Sequence, residues 1–169
     1  MRKTTRLAMA CGVMVLLAGA CFAEGEQAKY FQLDFVVQEL EGGKVTNSRH
    51  YQTTISTTPN NFATIRTGIR VPVMTGGSGT DNGTYSYVDV GVNIDCRDAK
   101  DIPGGLTLNV TADISSAATT TQHPVIRQNK WRSNVIVPIG KPTIIFSSDD
   151  VASKGQIRLE LTATAIREH

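Results

Sequence analysis

Tyr87-Val88-Asp89-Val90-Gly91-Val92-Asn93-Ile94-Asp95-Cys96 alternates in character along its whole length. Successive side chains of an extended chain point to opposite faces. Val88, Val90, Val92, Ile94 and Cys96 therefore share one face, and Tyr87, Asp89, Gly91, Asn93 and Asp95 share the other. Such a segment buries one side and wets the other, so Cys96 reads as a small buried apolar residue. A turn over 98–105 brings the chain back through Leu106, Leu108, Val110, Ala112 and Ile114, again on one face. Two alternating strands joined by a turn read as an antiparallel pair.

The same period recurs on both sides of this pair. Phe31, Leu33, Phe35 and Val37 alternate with Gln32, Asp34 and Val36, and the turn Glu41-Gly42-Gly43-Lys44 leads into a polar strand over 45–55, which makes a hairpin. After Pro59-Asn60-Asn61 a strand is expected over 63–73, with Pro72 placing its end at an edge or a bulge. The stretch Thr75 to Gly83 is a glycine-rich loop, and Ser115 to Gln128 reads as a long loop or a loose edge ribbon. Strands resume over 131–137, 143–147 and 156–166, the last with Ile157, Leu159, Leu161, Ala163 and Ala165 inward. Pro138 and Gly140-Lys141-Pro142 are expected to form the hairpin between the first two of these. Helical periodicity is nowhere sustained after the N-terminus. The fold class is all-β: a single antiparallel β-sandwich or barrel-like two-sheet domain.

The N-terminus has the three parts of a secretory signal peptide. Arg2, Lys3 and Arg6 precede an uncharged run from Leu7 to Ala20, and small residues follow. A bilayer span needs about 20 apolar residues, so cleavage is expected rather than anchoring, and no transmembrane helix is expected in the mature chain. Ala18-Gly19-Ala20 and Cys21-Phe22-Ala23 both suit a signal peptidase, and the second is favoured because it leaves acidic Glu24 at the new N-terminus. This divides the chain into a signal peptide, 1–23, and one β-domain, 24–169. Cys21 follows Leu17-Ala18-Gly19-Ala20, so a lipid anchor there is the competing reading; the usual large aliphatic residue three positions earlier is Ala18. Cys11 lies in the signal and Cys21 leaves with it, so Cys96 stays alone and no disulfide supports the fold. The chain has 17 Lys and Arg against 15 Asp and Glu, a balance that gives no argument for nucleic acid.

Five segments, in order, resemble the C-terminal β-domain of bacterial secretins, the ring-forming outer-membrane channels of type II and type III secretion and type IV pili. They are Val71-Pro72-Val73, Tyr87 to Ile94, Ser115-Ser116 with Pro124-Val125-Ile126, Asn134 to Val137, and Gly140-Lys141-Pro142-Thr143 with Ile144-Ile145. Tyr87 to Ile94 looks like the family strand that carries an aromatic-x-Asp-x-Gly signature. Gly140-Lys141-Pro142-Thr143 looks like its Asp-Gly-Gln-Thr turn. The resemblance implies long strands paired into hairpins and many copies closing into a double-walled barrel. Ser147-Ser148-Asp149-Asp150 departs from the Gly-Gly step that usually follows the last hairpin turn. The space between Met74 and Tyr85 suits a short loop, not the amphipathic hairpins that gate a channel.

Little catalytic chemistry is announced. His50, His123 and His169 are scattered, with no metal-ligand spacing to Cys96 or an acid. Asp149-Asp150 suits a solvated turn better than a hard-cation site. No Gly-x-Ser-x-Gly elbow is present, and the glycines of 75–83 lack the Gly-Lys-Ser/Thr of a phosphate loop. Trp131 between Lys130 and Arg132 reads either as a recognition aromatic or as a ring covering a sheet edge while its neighbours reach outward. The triplets at Asn82 and Asn109 imply no modification in a bacterial protein. The expectations are therefore no catalytic, cofactor-binding or metal-binding residues, no cofactor and no enzyme. Two functions compete: an exported structural or interaction protein of the envelope, periplasmic or outer-membrane associated, that pairs with itself or an envelope protein and relates to secretion or pilus machinery; or a monomeric periplasmic β-sandwich that binds a ligand or peptide through loops such as 74–84.

Overall fold

The computed structural model describes residues 27–75, 84–119, 124–150 and 154–166. The expected signal peptide and cut sites, Cys21, His123, His169 and most of the glycine-rich loop lie outside the described residues. Eight strands are present: β1 (Tyr30–Glu41), β2 (Lys44–Ser56), β3 (Phe62–Thr75), β4 (Thr84–Ile102), β5 (Gly105–Thr119), β6 (Pro124–Pro138), β7 (Thr143–Asp149) and β8 (Gly155–Ile166). They form two four-stranded sheets, ordered β2-β1-β8-β7 and β3-β4-β5-β6, with every neighbouring pair of strands antiparallel. We call the first sheet A and the second sheet B. Neither closes on itself into a barrel.

The alternation read from sequence decides which faces meet. Phe31, Leu33, Phe35 and Val37 of β1, with Leu159, Leu161 and Ala163 of β8, form the inner face of sheet A. Val92, Ile94 and Cys96 of β4, with Leu106, Leu108, Val110, Ala112 and Ile114 of β5, face them from sheet B in one core. The outer face of sheet B carries ion pairs between neighbouring strands: Arg66 with Asp95 at 2.6 Å, Arg70 with Asp89 at 3.1 Å and Lys130 with Asp113 at 3.4 Å.

Turn chemistry accounts for two hairpins. Gly42 and Gly43 both have positive φ (56° and 82°), as a two-residue turn between twisted strands requires. In the β4–β5 turn Pro103 precedes Gly104, whose φ is 77°, the arrangement of a type II turn.

Two expectations change. Residues 115–128 are largely strand: Ser115 to Thr119 pair with Gln128 to Pro124 as a two-stranded ribbon, so the edge-ribbon reading holds and the long-loop reading does not. The connection 139–142 is not a hairpin. β6 is an edge strand of sheet B and β7 an edge strand of sheet A, so this short segment crosses between sheets. β2 and β3 are joined across the opposite side in the same way through 57–61, so both crossovers link outer strands adjacent in sequence.

Each end of the sandwich carries an ion pair between the sheets. Lys29 holds Asp101 at 2.5 Å at the end where β1 begins, and Arg127 holds Asp150 at 3.1 Å at the other.

Candidate functional site

Four strand edges are the first feature with functional content. β2, β7, β3 and β6 each have a strand partner on one side only among the described residues. β3 and β6 have 14 and 15 residues, whereas β7 has 7 and a register irregularity between Ile144 and Phe146. Sheet B therefore has two long edges, and sheet A has one long and one short. Pro72 lies in β3 opposite Tyr87, where an outer strand tolerates a missing N–H.

The second feature is a division of sheet B. The β4–β5 ladder runs from Ile102/Gly105 to Val92/Ile114 and stops, whereas β3–β4 pairing continues to Thr75/Thr84 and β5–β6 pairing to Thr119/Pro124. Gly91 and Ser115 stand where the next rung would form. The Gly91 N–H donates to Ser115 Oγ at 2.9 Å, and the Ser115 hydroxyl in turn reaches the Gly91 carbonyl at 3.4 Å. Gly68 lies directly opposite Gly91 on β3, and a Cβ on either would collide with the other strand's backbone. Beyond this point the β3–β4 ribbon shows Ile69, Met74, Tyr85 and Tyr87 to solvent, Ile69 being 67% and Tyr87 65% exposed.

The third feature is an open cleft of about 620 Å³ at the end of the sandwich where sheet A stops short of the ribbons. Leu40, Ile114 and Ile157 give it apolar walls, and the ion pairs Glu39–Arg49 (2.6 Å) and Arg127–Asp150 stand among its lining residues.

Residues singled out in the sequence are placed apart from one another. Trp131 is a half-buried ring packed on Phe146 of β7 at 5.5 Å between centroids, so it covers the corner between sheets; this is the edge-covering reading, with Lys130 and Arg132 exposed beside it. Asp149 accepts from Gln156 Nε2 at 3.1 Å, while Asp150 holds Arg127. His50 is exposed, 3.4 Å from Ser48. Cys96 is buried, and its thiol is pushed up to about 12, first by burial and then by the neighbouring Asp95 carboxylate. Among the described residues no group of three or more His, Cys, Asp or Glu side chains lies together as metal ligands would. No described helix is long and apolar enough to cross a membrane. The division at Ser115 was missed in the sequence, where the residue opens a Ser/Thr/Ala-rich stretch. Gly68 and Gly91, each inside an alternating strand, are the signals that mark it.

The chain is similar to secretin domains. A chain of the Klebsiella pneumoniae type II secretion system outer membrane complex, with PulD, PulS and the PulC HR domain, matches over 84% of this chain and 39% of its own, at 14% identity and a TM-score of 0.49. The InvG secretin domain β-barrel of the Salmonella SPI-1 injectisome matches over 84% and 63%, at 11% identity and 0.47. The type II secretin GspD of enteropathogenic Escherichia coli matches over 83% and 66%, at 12% identity and 0.48. This chain thus spans between 39% and 66% of those chains. No family model matches it, and no curated protein sequence does.

Proposed function

We propose that this is an exported, non-catalytic structural protein of the bacterial envelope that associates with copies of itself through the long edges of sheet B, in connection with protein secretion or pilus machinery. The observation that carries the reading is the pair β3 and β6. They are of nearly equal length, lie at opposite edges of one sheet, and run in opposite directions because three antiparallel steps separate them. A second copy placed edge to edge by rotation therefore brings its β6 antiparallel to β3 of the first, and backbone donors and acceptors meet. A contact between two different edges repeats from copy to copy and closes when the rotation closes. The cations near these edges do not bar it, since Arg66, Arg70 and Lys130 are paired with carboxylates of the adjoining strand. The ordered secretin-like segments of the sequence support the same reading, and the signal peptide supports export.

Cross-linking tests the edges. With Cys96 replaced by Ala, cysteines introduced singly along β3 and β6 are mixed in pairs and oxidised. Dimers between β3 and β6 variants, but not between β2 and β7 variants, are the expected result; no dimer from any pair overturns it.

The end cleft favours a second reading, a monomeric periplasmic module that binds a ligand or peptide there. A monomer that gains thermal stability with envelope extract, and loses that gain when Arg49 and Arg127 are replaced by Ala, would select it.

A further inference from the structure

We infer that Ser115 is a latch that sets where sheet B divides, and that the β3–β4 ribbon beyond Gly68 and Gly91 opens from the sheet as a unit when the latch releases. The inference concerns one chain and does not rest on assembly.

In a continuous antiparallel ladder the Gly91 N–H and C=O would meet backbone groups of β5. One side-chain hydroxyl meets both instead, at 2.9 Å and 3.4 Å. Ser115 is 5% exposed, so if the contact breaks, the hydroxyl and the Gly91 amide lose partners in a place poor in water. A Cβ on Gly91 would strike the Thr67 carbonyl and Gly68 Cα of β3, so glycine there keeps β4 close to β3 while its backbone bonds Ser115 on the other side. The latch therefore holds the last closed point of the β4–β5 seam.

The two sides of that point differ in what holds them. Val92 and Ile94 are fully buried between the sheets, and their strand is paired on both sides. From Gly68 to Thr75 and from Val90 to Thr84 the strands have ladder partners only in each other; Val90, 6% exposed, is the one buried side chain among the described residues of this stretch, and Ile69 and Tyr87 are two-thirds exposed. An isolated two-stranded ribbon is marginal in water, and a segment with few buried contacts opens at low free energy. Opening should then run inward until it meets either the core or the latch. It reaches buried Val90 and, one residue further in, the Ser115 contact at Gly91.

Hydrogen exchange of the whole mature protein reads this out. In the unaltered chain the amides of Tyr85 to Val90 should exchange faster than those of Val92 to Cys96. Ser115→Ala should raise exchange at Gly91 and Val92 by up to about tenfold, the worth of one such hydrogen bond. Ser115→Thr, which keeps the hydroxyl, should restore slow exchange. Amides of Leu33 and Phe35 in sheet A should not respond, which separates latch release from lowered global stability. Equal protection on both sides of Gly91 in the unaltered chain overturns the inference. So does an unchanged Gly91 and Val92 in Ser115→Ala, or a rise shared by Leu33 and Phe35.

Discussion

The Gly140 N–H donates to the carbonyl of Ala163 at 2.8 Å, which ties the crossover after β6 to β8 in the opposite sheet. One residue earlier, the Ile139 N–H donates to the Gly104 carbonyl at 3.2 Å, and Ile139 bridges Ala163 in parallel. Two consecutive residues thus bond one to each sheet. Gly140 does so at a φ of 69°, where a β-branched side chain is strongly disfavoured. A Cβ there would meet nothing within 4 Å, so the cost of substitution is conformational and not steric. Gly140→Val should lower stability by about 1–3 kcal/mol and Gly140→Asn by less, measured by denaturant unfolding.

Leu108, Leu159 and Leu161 are between 0% and 2% exposed. Truncating any of them to Ala should cost about 2–5 kcal/mol, the spread depending on how far the cavity collapses. Ile136, 65% exposed on the outer face of β6, should cost less than about 0.5 kcal/mol when truncated. Equal losses at Ile136 and Leu161 would contradict the assignment of faces.

The Gly68–Gly91 pair sets strand spacing at the division of sheet B. A Cβ on Gly91 would strike the carbonyl of Thr67, and one on Gly68 the carbonyl of Val90. Neither obstacle is a flexible side chain. Gly91→Ala should therefore destabilise by about 1–3 kcal/mol, the usual cost of forcing extra volume into a packed site. In a denaturant titration, an unchanged midpoint for Gly91→Ala would show that the strands separate there freely.

Cys96 should be inert in the folded protein. Only the thiolate reacts, and with the thiol pushed up to about 12 almost none is present at neutral pH. A maleimide should label the denatured chain and leave the native one unlabelled, with no rise in native labelling between pH 7 and 9. The linkage to stability has one sign. The folded state keeps a proton that the unfolded thiol loses above about pH 8.5, so this contribution is full below that pH and is lost as pH rises toward the folded value.

Alternation made the core legible, because a face buried between sheets must be apolar at every second residue; Val92, Ile94, Leu108, Leu159 and Leu161 all lie where the period places them. Ser115 to Gln128 gave no such signal, because beyond Ser115 its described side chains, Ser116, Ala117 and Val125 to Gln128, are exposed or half-buried and offer little buried face to encode. The 139–142 connection misled for a different reason. Proline and glycine mark a reversal of the chain, but whether the reversed strand pairs with its predecessor or crosses to another sheet depends on sheet order, which no local residue carries. Trp131 was legible only as two alternatives, since the ring's partner, Phe146, comes from a strand of the other sheet. The free edges were not legible at all beyond Pro72, as an edge is defined by what fails to pair with it.

Self-association is the central claim, and the mass of the protein in solution is its most direct test. Sedimentation equilibrium of the purified protein, taken through micromolar dilution, should show a discrete assembly many times the mass of one chain, and cysteine cross-links in it should join β3 to β6. A single species at the mass of one chain throughout that range would contradict the account.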